Sequence, residues 1–369
     1  MFMIVLFLLI ILLIVGVILF GMFYILKQVR QYSFVKAMIN KNKYTAWGML
    51  VLLLVLIGIG LWLDHVNTLI VLLHLVLIWM IVDGIRLLIN KYSRHRVQAF
   101  VSGLVALGLT VSYLSYGYYQ AHHVVTTHYS LSTSKVIDKN LRIVQISDSH
   151  IGATFHAEGF KKHMQIIQSL HPDLIVVTGD YVDDDTTRKD MLASTKALGQ
   201  IKSTYGTYFV YGNHDKGYMN YRNFSAQDLE ASLKENNIHI LNDESVQIAK
   251  YITVVGRQDA QTESYRKSAQ ALMQSIDSKQ YVIMLDHEPT DYINEANSHP
   301  DLVLNGHTHG GQMFPIGITG EVSGANDMTY GIKTMKDTTF IVNSGISDWA
   351  IKFKTGGAKA EIGVIDIEK

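Results

Sequence analysis

Residues 141–150 read Leu-Arg-Ile-Val-Gln-Ile-Ser-Asp-Ser-His, a short apolar run that ends in an acid and an imidazole. So short a run, bounded by polar residues, suits a buried strand better than a helix. The same plan recurs downstream. Leu174–Thr178 leads into Gly179-Asp180-Tyr181-Val182-Asp183, and Thr207–Tyr211 into Gly212-Asn213-His214-Asp215. Tyr281–Leu285 leads into Asp286-His287-Glu288-Pro289, and Leu302–Leu304 towards Gly306-His307-Thr308-His309. Further strands are expected at Ile238–Leu241, Val246–Ile248, Ile252–Val255, Phe340–Val342 and Glu361–Ile367. Helical periodicity fits Glu158–Leu170, Thr186–Ile201, Ala226–Asn236, Glu263–Ser275 and Thr290–Ala296. This alternation signals a layered α/β domain. Each polar block falls just past a strand's carboxyl end, the edge where open α/β sheets bind ligands, so residues distant in sequence converge in one crevice.

Towards the N-terminus the composition changes. Up to about Tyr119 the chain is dominated by Leu, Ile, Val, Met and Phe. Four apolar stretches stand out: Phe2–Leu26, Thr45–Leu63, Asn67–Val82 with an extension to Ile89, and Ala99–Tyr119. Each is near the ~20 residues that span a bilayer core. The first lacks a basic leading segment and exceeds the apolar core of a cleavable signal, so it is expected to remain as a helix. The organisation expected is an all-α transmembrane anchor of four helices over residues 1–120, a linker over 121–140 and an α/β domain over 141–369.

Basic residues set the orientation. The first loop carries Lys27, Arg30, Lys36, Lys41 and Lys43, the loop Asp64–Val66 carries none, and the third carries Arg86, Lys91, Arg94 and Arg96. Loops one and three are therefore expected in the cytoplasm, which makes the protein a multi-pass membrane protein with its α/β domain on the extracytoplasmic side. Tyr113, Tyr116, Tyr118 and Tyr119 gather at the outer end of the fourth stretch as an interfacial belt. His74, inside the third, is expected to be a neutral imidazole bonded to a neighbouring helix. His122, His123 and His128 read as a solvated juxtamembrane group.

Lys plus Arg and Asp plus Glu both number 32, so the basic footprint of a nucleic-acid partner is missing and none is expected. Cys is absent, which excludes thiolate metal sites, thiol nucleophiles and disulfides. Any metal must be held by His, Asp, Asn or Glu.

Taken singly, the polar blocks are ordinary turn chemistry, because Asp, Asn and Gly are common turn residues. Together, in this order, Asp148-Ser149-His150, Gly179–Asp183, Gly212–Asp215, Asp286–Pro289 and Gly306–His309 resemble the calcineurin-like metallophosphoesterase superfamily. The following Gly310-Gly311-Gln312 is similar to its bacterial membrane-associated branch. The likeness runs from about Leu141 to Lys369 and implies a layered β-sandwich flanked by helices. It also implies two divalent ions, with Asp148, His150 and His309 on the first, Asn213, His287 and His307 on the second, and Asp180 bridging them. Such a pair, ~3.5–4 Å apart, clamps the attacking and leaving oxygens of an in-line displacement and activates a water between them. Mn, Fe, Zn, Co or Ni would each suit these donors.

The resemblance assigns His214 no metal. It makes His214 the acid that protonates the leaving oxygen, with Asp183 orienting the ring. Asp184 and Asp185 read as a solvated turn. Gly179, Gly212 and Gly306 each precede a ligand, where a turn or close approach is expected. Arg257 could reach a substrate phosphate or form a surface salt bridge, and Gln312 could support the ligands or touch substrate.

The function expected is hydrolysis of a phosphomonoester, phosphodiester or pyrophosphate by a membrane-anchored enzyme, on a small-molecule or lipid-linked substrate beside the bilayer. The alternative is a metal-binding surface module with little turnover, against which the pair His214 and Asp183 speaks. A transporter is disfavoured by the near absence of charge within the apolar stretches. Specificity is expected from loops such as Ala153–Phe160 and Gln312–Asp337.

Overall fold

The computed structural model describes residues 2–42, 44–217, 221–262 and 265–369. The chain divides into two compact units, Met1–Tyr116 and Gly117–Lys369.

The first unit holds α1 (Phe2–Val29), α2 (Ser33–Lys41), α3 (Thr45–Leu63), α4 (His65–Tyr92) and most of α5 (Ala99–His122), whose last residues belong to the second unit. Among the described residues α3, α4 and α5 are long and apolar enough to cross a membrane, and Ile18–Val29 is a shorter apolar helix. The amphipathic α2 occupies the first basic loop; Lys43 of that loop lies outside the described residues. Large apolar side chains such as Trp62 and Leu63 face outward, while polar ones turn in. Buried Asp83 accepts from Tyr24 Oη of α1 at 2.8 Å and Ser102 Oγ of α5 at 2.7 Å, and pairs with Arg86 at 3.0 Å. Sequence reasoning passed over this tie. His74 bonds the Ile70 carbonyl of its own helix at 2.8 Å, not a neighbouring helix as expected.

The second unit opens with β1 (Val125–Ser132) and continues through β2 (Leu141–Ile146), α6 (Ala157–Ser169), β3 (Leu174–Thr178), α7 (Arg188–Gly199), β4 (Thr207–Val210), α8 (Ala226–Glu235), β5 (Ile238–Ile240), β6 (Glu244–Ala249) and β7 (Ile252–Gly256). It closes with α9 (Ala269–Met273), β8 (Tyr281–Leu285), α10 (Tyr292–Asn297), β9 (Leu302–Asn305), α11 (Ile316–Ser323), β10 (Gly331–Met335), β11 (Thr338–Val342) and β12 (Glu361–Glu368). The strands form two six-stranded mixed sheets, ordered β1-β12-β2-β3-β4-β5 and β10-β11-β9-β8-β7-β6.

Alternate residues of each strand serve different cores, which is why the central strands read as unbroken apolar runs. Ile143, Val176, Val210 and Ile365 of one sheet meet Val254, Ile283, Leu304 and Ile341 of the other. Their neighbours Val144, Val177 and Phe209 pack under Phe160, Leu198 and Leu229 of α6, α7 and α8. Met284, Val303 and Phe340 pack under Leu272 and Tyr292 of α9 and α10. The result is the expected sandwich with helices on both faces.

Three elements escaped the sequence. The stretch 121–140, expected to be a linker, contains β1, which pairs in parallel with β12 from Val125↔Glu361 to Ser132↔Glu368. As a half-exposed edge strand rich in Thr and Ser, it lacks the apolar run of a central one. The loop expected over Gln312–Asp337 contains α11 and β10. The helix expected from Glu263 forms only over Ala269–Met273, where Ser268 Oγ accepts from Ala271 N as an N-cap; Glu263 and Ser264 lie outside the described residues.

Candidate metal centre

The nine residues singled out from the sequence do converge. Asp148 and His150 follow β2, Asp180 and Asp183 follow β3, Asn213 and His214 follow β4, His287 follows β8, and His307 and His309 follow β9. Both sheets contribute, so the crevice lies across the same end of the sandwich. Among the described residues, three groups place ligand atoms within 4.8 Å of one another: Asp148, His150 and His309; His150, Asp183 and His214; and Asp180, His287 and His307.

Hydrogen bonds outside the centre fix which nitrogen each ring points inward. His287 Nδ1 bonds the Thr178 carbonyl at 2.7 Å, His309 Nδ1 the Ser347 carbonyl at 3.2 Å, and His150 Nδ1 the Asp183 carboxylate at 3.0 Å. Each of these acceptors takes a proton, so each Nε2 turns a lone pair towards the centre. There the lone pairs meet other acceptors. Asp180 Oδ2 lies 3.6 Å from His150 Nε2 and 3.3 Å from His287 Nε2. Asp148 Oδ1 lies 3.6 Å from His309 Nε2. Asn213 Oδ1 sits 3.2 Å from both His287 Nε2 and His307 Nδ1, and those two nitrogens are 3.3 Å apart. Among the described residues the buried His150 Nε2 has no hydrogen-bond partner.

Acceptors facing acceptors repel unless something positive lies between them. Donor atoms each ~2 Å from one ion stand ~3 Å or slightly more from one another, which matches these separations. The residues present therefore fit two divalent cations, one in each of the first and third groups, with Asp180 between them. Burial, then the charge of His287, pushes His307 down to about 4; burial and His150 push His309 well down, so both imidazoles are neutral at neutral pH, as a metal ligand must be. Burial opposes protonation of His287 and His150 as well. Asp180 outweighs it at His287, and Asp183 together with Asp180 at His150, raising both, so a cation would enter in competition with protons.

The backbone is bent to make this possible. Asp148, His150, Asp180, His307 and His309 all have positive φ, from 35° to 71°. Such conformations in non-glycine residues gather where function demands them. Gly179 has φ of 86°, and a Cβ there would stand 2.5 Å from His287 Nδ1, so only glycine fits. Gly306 is needed for closeness alone, since its Cβ would overlap Ser147 Oγ.

His214 and Asp183 form the expected pair. Asp183 Oδ1 accepts from His214 Nδ1 at 3.0 Å while Oδ2 serves His150. Burial works to raise the Asp183 carboxyl, but the bonds from His150 and His214 hold it far below the usual range. Burial likewise opposes protonation of His214; the Asp183 bond and the charge of Asp180 push it up to about 9.

Asp215 is a positioning residue that sequence reasoning quoted without a role. Its Oδ1 accepts from Tyr181 N and Val182 N, and its Oδ2 from Gly212 N at 2.8 Å, which locks the two ligand loops together. The signal was its place beside His214. Arg257 proves to be neither phosphate ligand nor surface ion pair. It is buried among Asp286, Asp291 and Glu295, at 2.8–3.0 Å. Gln312 Nε2 holds the following loop through Asp348 Oδ1 and the carbonyls of Ile351 and Phe353. Trp349 of that loop stands with its ring 6.1 Å from that of His214. Among the described residues the histidines at 122, 123 and 128 belong to no metal group. His122 stacks on Tyr118, His123 stacks on Tyr119, and His128 sits in β1.

The pattern of the calcineurin-like phosphoesterases matches residues 141–311. A metallophosphoesterase of Aquifex aeolicus is 30% identical over 210 residues, covering 56% of this chain and 77% of that protein. A transmembrane protein with a metallophosphoesterase domain from Bos taurus is 28% identical over 240 residues, covering 60% of this chain and 52% of its own. A metallophosphoesterase of Campylobacter jejuni is 27% identical over 236 residues, with 63% and 60% covered. Of the second and third of these relatives the chain thus spans only about half to three fifths. The chain belongs to the calcineurin-like phosphoesterase family and is a phosphoester hydrolase.

Proposed function

We propose, with membership of that family as the premise, that this chain is a membrane-held two-metal phosphoesterase. It hydrolyses a phosphomonoester, phosphodiester or pyrophosphate bond, with lipid-linked substrates favoured. The observation that supports it most is Asp180, whose carboxylate lies between the imidazoles of His150 and His287 and so between the two ligand groups. Asp148, His150 and His309 would hold one cation, Asn213, His287 and His307 the other, and Asp180 both. Two such cations polarise the phosphoryl oxygens and lower the pKa of the attacking water. His214 delivers the proton that the leaving oxygen needs. Its Nδ1 is tied to Asp183, so the proton travels from the ring's other nitrogen, and the raised pKa keeps that proton available across neutral pH. A module that only binds metal has no use for this pair.

Membrane attachment is supported by the three apolar helices long enough to cross a bilayer and the shorter one before them. Nine basic residues in two loops, against none in the loop between, favour the second unit outside the cell. Protease added to intact cells should digest that unit. Protection until the membrane is opened would reverse the orientation.

The enzymatic reading is tested on the full chain in detergent. A fragment beginning at Ser130 would cut β1 in half. After chelation, Mn, Fe, Zn, Co and Ni are returned one at a time, with nitrophenyl phosphate, its diester and a phospholipid-type pyrophosphate as substrates. Turnover should vanish on chelation and return with metal. Undiminished turnover in the chelated protein would overturn the reading.

A further inference from the structure

The exposed side of α11 carries large apolar side chains. Gly317 and Gly320 face inward, Gly317 resting on Gly311 and Thr329 and Gly320 on Asn326, while the exposed Glu321 accepts from Thr329 N through Oε1 at 2.8 Å. Outward, one turn apart, stand Ile318 and Val322, 59% and 83% exposed, with Phe314 at 61% just before the helix. A helix facing water carries its polar residues outside. On α11 Thr319, Glu321 and Ser323 share the exposed surface with Ile318 and Val322, and exposed apolar groups gathered in this way mark an interaction surface such as a membrane.

Two connections identify that surrounding. Gln312, four residues before α11, accepts from Thr355 N at 2.8 Å and Gly356 N at 3.2 Å, and the adjoining Lys354 N donates to Gly117 O in the end of α5 at 2.9 Å. Ala360 N likewise donates to Gln120 O at 3.0 Å. The base of α11 is therefore fastened, within the second unit, to the end of a helix long and apolar enough to cross a membrane. The other connection runs to the metal centre. Gly311, which α11 rests on, lies two residues after the ligand His309, and a Cβ on it would stand 2.7 Å from Gly317 Cα.

We propose that α11 is an interfacial helix: Phe314, Ile318 and Val322 enter the acyl boundary of a lipid bilayer, and the ligand turn His309–Gly311 is thereby held at the lipid surface to receive a lipid-borne phosphate. The substrate class rests on the hydrolase reading given above, whereas the docking does not.

The absence of Cys makes the test direct. Val322→Cys in the full chain is labelled with an environment-sensitive fluorophore and reconstituted into vesicles of phosphatidylcholine and phosphatidylglycerol. Leu192→Cys, on the exposed side of α7, serves as the water-facing control. The label at 322 should be quenched by spin-labelled lipid and shielded from iodide, and the label at 192 should behave oppositely. Iodide quenching alike at both positions would overturn the proposal. So would shielding of 322 from both quenchers, which would place a protein partner there, such as a second copy. The double variant Ile318→Ser with Val322→Ser should keep its turnover of soluble nitrophenyl phosphate and lose roughly ten-fold on vesicle-borne phospholipid pyrophosphate. Equal rates on the vesicle substrate would also overturn it. A wild-type chain inactive on both substrates, yet lipid-quenched at 322, would sink the hydrolase reading and leave the docking standing.

Discussion

Leu63 and Leu285 each end an apolar run, Gly-Leu-Trp-Leu in α3 and Tyr-Val-Ile-Met-Leu in β8, yet Leu63 is 70% exposed and Leu285 fully buried. The two units use the same residue types in opposite directions. In the helical unit many large apolar side chains point out, around a small core that includes Ile25, Val76 and Trp79, and Asp83, Ser102 and Asn67 point in. In the α/β unit apolar side chains fill three cores and polar ones crowd the ends of the strands. The difference shows that the surrounding medium, more than residue type, decides which face is buried. It also shows where burying polar atoms serves function. The tie at Asp83 joins helices, whereas the buried acceptors around Asp180 call for cations.

The largest effect expected is at Asp180. Asp180→Asn removes the one carboxylate set between both ligand groups and should cost more than the ~10²–10³-fold lost with a single preorganised donor. Metal binding in both groups should weaken; two bound metals with near-normal turnover would break the contrast drawn between Asp180 and Asp83. His214→Ala should keep its metals and lose ~10²–10⁴-fold in turnover. That loss should be least with a nitrophenol leaving group, which needs little protonation, and greatest with an alkyl phosphate. Equal losses would count against the acid role.

The same leucine truncation should give opposite results in the two units. Leu285→Ala opens a cavity between the sheets and should destabilise the α/β unit by ~2–5 kcal/mol. Leu56→Ala, at a site 58% exposed in α3, should stay within about 0.5 kcal/mol. Chemical unfolding of the full chain in micelles, read separately for each unit, compares them.

Asp183→Asn sharpens the picture through pH. Asp183 is the strongest influence raising His214 to about 9, so in its absence burial draws the ring down towards or below the ordinary ~6.5. His214 would then lose its proton at lower pH, and the alkaline fall in kcat should move towards neutrality. An unmoved alkaline limb would show that His214 is not the acid. A modest effect is expected at Asp83→Ala, which removes the acceptor of Tyr24 Oη and one acceptor of Ser102 Oγ and should cost about 1 kcal/mol, since bonds between helices in lipid average ~0.6 kcal/mol.

Most of the second unit was legible because strands buried on both faces leave continuous apolar runs, and because turns that carry ligands leave Asp, Asn, His and Gly after them. The nine polar positions that converge could be picked out for that reason, whereas the roles expected of them came from the family resemblance. What escaped was whatever carries no such run. β1 is a half-exposed strand of Thr and Ser whose pairing with β12 depends on residues more than 200 positions away. α11 begins at Ile316 beside Pro315, with two glycines in eight residues, a composition that reads as loop until packing shows both glycines pressed against the protein. Arg257 was misread because the sequence does not reveal that Asp291 and Glu295, from α10 and its cap, close around it. The positive φ values at the ligands have no signature in Asp or His, and only Gly179 announced one.

The account turns on two cations sharing Asp180, and counting them tests it most directly. The full chain, stripped with chelator, is titrated with manganese or zinc while bound metal and turnover are measured on the same sample. Two metals per chain, with turnover rising mainly as the second site fills and lost in step with metal in Asp180→Asn, is the expected result. Full turnover at one metal per chain would contradict it.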